Sequence, residues 1–347
     1  MASEKGASGS LIPRRPVPNA SGSSASEPVE SSGDDAGVEE PPPYSGPSST
    51  HVRPPQPRET RRTGPRYYPG LPVLDYSKYS PPMFKLSADT TTISSKAAFL
   101  SENAKELAGV IRTLASVPPK PQVLIKGTRG RRVDFQLRLN MMNLLVPENP
   151  RQRLDYLRCV SRGEMALRGS SEPSLQPELP AGAADALEAW CAKYVADTSS
   201  VKMFTLERVV ANLDTNWLEG QIRSLVASTS YKGVVTVDFP ITHARVTVQN
   251  PDKVNAFFTG VASLFAGKAK YEVVKAVWPF ATAKNGDISR KCIVQSEQTW
   301  WDEWRDPLKF AMSEKRKGWV TNEDKLESIM ESKGKAVALV DWGPDEV

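Results

Sequence analysis

A histidine, a thiol and a carboxylate are the side chains from which a hydrolase-like centre is most simply drawn. This sequence offers one such set, with His243 as base, Cys292 as nucleophile and Asp238 as the group that orients the base. The spacing does not bring the three together, and a histidine inside a strand pattern reads more plainly as structural, so no residue is assigned as catalytic. No cysteines or histidines cluster at metal-ligand spacing and no Walker-type glycine loop is present, so neither a metal nor a cofactor is expected. Capture of phosphate is a second chemistry to consider. Lys126-Gly127-Thr128-Arg129-Gly130-Arg131-Arg132 sets three arginines on a glycine-containing turn. Guanidinium forks suit phosphate, so Arg129, Arg131 and Arg132 are candidates for an anion site or for contact with an anionic membrane surface. The plainer reading is a solvated turn. No zinc-finger, helix-turn-helix or RNP pattern accompanies it, and a nucleic-acid partner is not expected.

Aromatic side chains suggest binding rather than catalysis. Trp300, Trp301 and Trp304 share a helical stretch with Asp302, Glu303 and Asp306. The stretch reads as an amphipathic helix with its tryptophans in the core, or as one wall of an aromatic-lined groove. Phe257, Phe265 and Trp278 could line a pocket for a small apolar ligand or lipid. The most specific motif is Pro41-Pro42-Pro43-Tyr44, which fits PPxY, the ligand pattern of WW domains. The proline pair pre-sets a polyproline II segment that slots between aromatic rings, and the tyrosine fills a second pocket. Pro41, Pro42 and Tyr44 are therefore the candidate partner-binding residues. Pro54 to Pro57 adds a weaker PxxP pattern.

The elements that would hold these residues follow from periodicity. Residues 95–115 place Leu100, Ala104, Leu107, Ile111 and Leu114 on one helical stripe, closed by Pro118-Pro119. Residues 123–139 read as a hairpin around the arginine turn, with Val133, Phe135, Leu137 and Leu139 alternating with polar residues. A polar loop falls near 169–182. Helices are predicted over 184–196, 203–229, 252–267 and 299–317, a second hairpin over 233–249, and strands near 292–295 and 335–342. Thr321 and Asp324 resemble a capping box that opens a helix to about 332. Hairpins packed with five or six helices make an α+β domain, expected over 72–347.

Composition separates that domain from what precedes it. Of the 29 prolines, 14 lie in residues 1–80, whereas all eight tryptophans lie from Trp190 onward. Residues 1–71 are rich in Ser, Pro, Gly and Glu and read as a disordered head, because they offer too little apolar surface to offset ordering entropy. An acidic block at 27–40 and an arginine block at 53–66 flank Tyr44. The longest stretch without charge, 254–267, has 14 residues, short of the ~18 that a membrane span needs. With no apolar run in the first 30 residues and three scattered cysteines, the expectation is a cytoplasmic, non-secreted protein with reduced thiols, possible membrane contact being peripheral.

The stretches LDYSKYSPPMFKLS, KGTRGRRVDFQLRLNMMNLLVP, ERVVANLDTNWLEGQIRSLVAST and VVTVDFPITHARVTVQNPDKVNAFF resemble an uncharacterised family of filamentous-fungal proteins. Its members have a disordered proline-rich head, often with a PPxY-type motif, followed by one α/β-containing domain. The resemblance implies a fungal intracellular protein and no activity. The reading reached is a non-enzymatic adaptor whose PPxY motif binds a WW-domain partner, a Nedd4-type ubiquitin ligase being the natural candidate. A carrier or sensor of a small apolar ligand or lipid is the alternative, and a hydrolase-like enzyme the third reading.

Overall fold

Side-chain caps and alternating burial lay out the architecture of the computed structural model, which describes residues 65–68, 71–170, 172–176, 179, 185–199, 201–251 and 268–332. The head with Pro41, Pro42 and Tyr44, the expected helix with Phe257 and Phe265, and the expected strand over 335–342 lie outside the described residues. So do residues 171, 177, 178 and 180–182 of the 169–182 loop. The described residues form eleven strands and six α-helices, an α+β protein. In chain order the elements are β1 (Phe84–Leu86), β2 (Thr92–Ser95), α1 (Ala98–Glu102), α2 (Ala104–Ala115), β3 (Lys120–Arg129), β4 (Arg132–Asn140) and β5 (Tyr156–Cys159). There follow α3 (Ala186–Ala196), β6 (Val201–Ala211), α4 (Thr215–Ser228), β7 (Val234–Asp238), β8 (Ile241–Thr242) and β9 (Arg245–Gln249). The last are β10 (Lys268–Pro279), α5 (Glu297–Ser313), β11 (Lys317–Trp319) and α6 (Asn322–Ser332).

Two mixed sheets carry the fold. A six-stranded sheet runs β1-β2-β9-β6-β10-β5, with β2/β9 and β6/β10 parallel and the other pairs antiparallel. A second sheet runs β11-β4-β3-β7, with β11/β4 parallel and β8 added at the start of β3. Helices α1, α2 and α3 pack on one another and on the first sheet, while α4 and α5 pack on the second and α6 on α5. Helix starts follow from short polar caps that satisfy free backbone donors. Asn103 caps α2, Asp185 α3, Asp214 α4 and Ser296 α5. The stripe of Leu107, Ile111 and Leu114 is buried against the first sheet, as its spacing predicts, but the single helix expected over 95–115 is broken: Asn103 is extended and caps α2, so Leu100 lies in the separate short α1.

The β3–β4 hairpin forms as expected, with Gly130 in the left-handed region at φ 55° in its turn. Gly127 meets the Phe135 ring so closely that an added Cβ would lie 2.3 Å from it, so only glycine fits there. Other expectations give way. Residues 203–229 are not one helix, because β6 occupies their first third and α4 starts only at Thr215. The segment 233–249 does not fold on itself. β7 pairs with β3 in one sheet, while β9 pairs with β2 and β6 in the other. Pro240 offers no backbone donor and His243 sits at φ 54°, so the chain turns out of one sheet and into the other between them. Near 292–295 there is a single bridge, Ala281 to Cys292, rather than a strand.

Candidate functional site

An open concavity among the described residues grows from the start of α5. Ser296 accepts from the Thr299 amide at 3.0 Å and fixes the helix start, which places Trp300, Glu303 and Trp304 on one face at i, i+3 and i+4. The two indoles stack with centroids 6.2 Å apart. From α6, Lys325 Nζ donates to Glu303 Oε2 at 2.7 Å and lies 5.9 Å from the Trp304 ring centre. The capping box holds α6 in place, because Asp324 Oδ2 accepts from the Thr321 amide at 2.6 Å and its other oxygen pairs with Arg316. The end of β4 and the turn after it bring Asn140 and Asn143, and Val73 and Gln295 complete the wall. The result is an open cleft of about 420 Å³.

The cleft has an apolar floor and a polar rim. Trp300 and Trp304 are only 3% and 8% exposed, so they form the floor rather than a stacking platform. The rim offers side-chain amides, the Glu148 carboxylate and the Lys325–Glu303 ion pair. Of the three acids singled out from sequence, Glu303 alone lines the cleft; Asp302 and Asp306 are exposed and bond Gln298 and Arg305 on the helix surface. The tryptophan spacing signalled this wall. Asn140, Asn143 and Lys325 carried no signal, since they come from separate segments.

The three members of the hydrolase-like set fall in different neighbourhoods. Asp238 pairs with Leu124 at the exposed edge of β7. His243 is buried edge-on against Tyr79, with centroids 5.3 Å apart, and burial together with Lys120 and Arg208 pushes its pKa down to about 4. Cys292 lies beside Arg290, whose Nη1 approaches its sulfur at 3.5 Å. Burial pushes the Cys292 thiol up, away from the thiolate a nucleophile needs.

The arginine hairpin serves a buried acid. The Asp134 side chain has no exposed surface; it accepts from Arg129 Nε at 2.6 Å and from the Tyr231 hydroxyl at 3.0 Å, with Arg132 Nε at 3.5 Å. Burial raises its pKa, but the Arg129 and Tyr231 hydrogen bonds and the two arginine charges outweigh that and leave it lowered. Arg131 stands exposed at the turn. Trp278 is buried in the core at 1% exposure under the Arg153 guanidinium, 4.9 Å from its ring. Among the described residues no group of three or more His, Cys, Asp or Glu is placed to hold a metal ion, and no helix is long and apolar enough to cross a membrane.

Fold and site together define an α+β protein with two mixed sheets and an aromatic-floored cleft. Comparison with family models, curated proteins and solved structures finds no match to any of them.

Proposed function

We propose that this chain is an interaction protein that recruits a WW-domain partner through Pro41, Pro42 and Tyr44 and binds a second ligand in its folded part. The observation that carries the reading is the Pro41-Pro42-Pro43-Tyr44 motif, set in a proline-rich head whose acidic and basic residues balance overall. A preformed polyproline segment loses little entropy on docking, and Tyr44 supplies the second anchor. A WW-bearing ubiquitin ligase of the Nedd4 type fits as partner, with this chain as adaptor or substrate. Pull-down of the full chain with a panel of WW domains tests this. Tyr44→Ala is expected to lose recovery at least tenfold, and equal recovery of wild type and variant would sink the adaptor role.

The cleft beneath Lys325 supports a second, carrier-like reading. Its tryptophan floor favours an apolar body, and its amide rim and Lys325–Glu303 pair favour polar edges, so a mixed ligand suits it better than a purely aliphatic one.

A further inference from the structure

Three basic side chains from separate parts of the fold meet on one tyrosine ring. Tyr79 is 3% exposed and donates its hydroxyl to the Pro118 carbonyl at 2.7 Å. Lys120 Nζ, at the start of β3, lies 4.1 Å from the ring centre, and the Arg208 guanidinium from β6 lies 5.7 Å from it. His243 meets the ring edge-on. Lys78, next to Tyr79 in sequence, adds a further positive charge and donates to Ser116 Oγ at 2.8 Å. Among the described residues, no carboxylate forms an ion pair or hydrogen bond with Lys120, Arg208 or His243.

Arg208 has a structural reason for its place. Its Nε and Nη2 donate to the Leu114 carbonyl at 3.1 and 2.8 Å, and its Nη1 donates to the His243 carbonyl at 3.0 Å. Leu114 lies in the last turn of α2, where a helix end presents roughly half a negative charge. That offsets part of the Arg208 charge. Lys120 rests on the ring face with, among the described residues, no carboxylate and no hydrogen-bond acceptor for its ammonium, and burial with the nearby Arg208 charge lowers its pKa. Lys120 is half-buried whereas Tyr79, Arg208 and His243 are buried, so of these four it lies nearest to solvent.

We propose that Lys120 is the direct contact of an oxyanion site that takes a phosphate group, with Arg208 supplying long-range positive field behind it. A compact ammonium binds phosphate as a point charge and needs no planar partner, which suits a lone lysine over a ring. The anion would supply the countercharge that the fold omits, and a site held ready in this way costs stability while it is empty.

Thermal melts of the full chain in sodium phosphate and in sodium chloride of matched ionic strength test the site. The wild type is expected to gain roughly 2–3 °C from phosphate at ten times its dissociation constant and nothing comparable from chloride. Lys120→Met is expected to melt at or above the wild type in chloride, because a like-charge contact is removed, and to lose the phosphate-specific gain. A wild type that responds equally to both salts, or a variant that keeps the gain, would overturn the proposal. A ³¹P titration of the wild type gives a readout that does not depend on the variant folding. Saturable broadening is expected, and a strictly linear response would count against the site. Repeating the titration with phosphoserine separates the sources: saturation at lower concentration than inorganic phosphate assigns the site to a phosphorylated ligand, and the reverse order assigns it to the free ion.

Discussion

Lys202 and Arg208 point into the protein from the same strand, and each is there for a backbone reason. Lys202 Nζ donates to the carbonyls of Tyr194, Val195 and Asp197 at 2.8 to 2.9 Å and so closes the C-terminal end of α3. Arg208 does the same for α2. Buried cations at helix ends satisfy carbonyls that have no partner within the helix, and the end dipole favours their charge. His243, beside Arg208, is held in the opposite state. Its folded pKa of about 4 lies below the unfolded value of 6.5. The unfolded chain therefore takes up a proton between these values while the folded chain does not. Stability from this residue is whole above pH 6.5 and falls, by up to about 3 kcal/mol, as pH drops to 4. His243→Asn keeps a residue that tolerates positive φ and removes the titration. Urea unfolding from pH 7 to 4 is expected to show the wild type losing more stability than the variant, and parallel curves would refute the assignment.

At the scale of elements, α6 depends on its first turn. That turn is held by Asp324, the third residue of the helix, which accepts from the amide and hydroxyl of Thr321 at the cap position and pairs with Arg316 on the loop before β11. Asp324→Ala removes a first-turn bond worth about 1–2 kcal/mol, and amide exchange across α6 is expected to rise roughly five- to thirtyfold while β3 and β6 stay protected. An unchanged α6, or an equal rise in the sheets, would show that the cap does not hold the element. The cap was legible in the sequence, as were α2 and the β3–β4 hairpin, because their polar and apolar residues alternate at one period. Other elements hid their period. Lys202 and Arg208 stand at inward positions of β6, so its burial alternation reads as polar noise and its remaining Leu and Val residues fit a helix. In β10 the register shifts between Tyr271 and Val274, which breaks the two-residue repeat. Asp134 looked solvent-facing by alternation and is buried, because Arg129 and Tyr231 come from outside β4 to meet it. The cleft was half legible for the same reason: its floor is one helix face, but its rim is assembled from distant segments.

At the scale of the whole molecule, the two sheets are tied by shared chain rather than by a linker. The first residues of β3 pair with β8, and β8 runs through His243 into β9 of the other sheet. The buried apolar residues of both sheets belong to one continuous cluster, from Ile93 and Phe204 to Phe135 and Leu308. Neither sheet can open without exposing the surface that the other buries, so cooperativity should extend across both. The tryptophans allow this to be seen, because Trp190 lies in α3 against the first sheet and Trp300 and Trp304 lie in α5 against the second. Denaturant unfolding followed by far-ultraviolet circular dichroism and by tryptophan fluorescence is expected to give coincident midpoints. Replacing Trp190 with Phe should move the fluorescence and dichroism midpoints together, by the same amount, since the lost packing belongs to the common core. Two separated transitions, with Trp190→Phe shifting only one of them, would show that the sheets fold as independent units despite the strand that crosses between them.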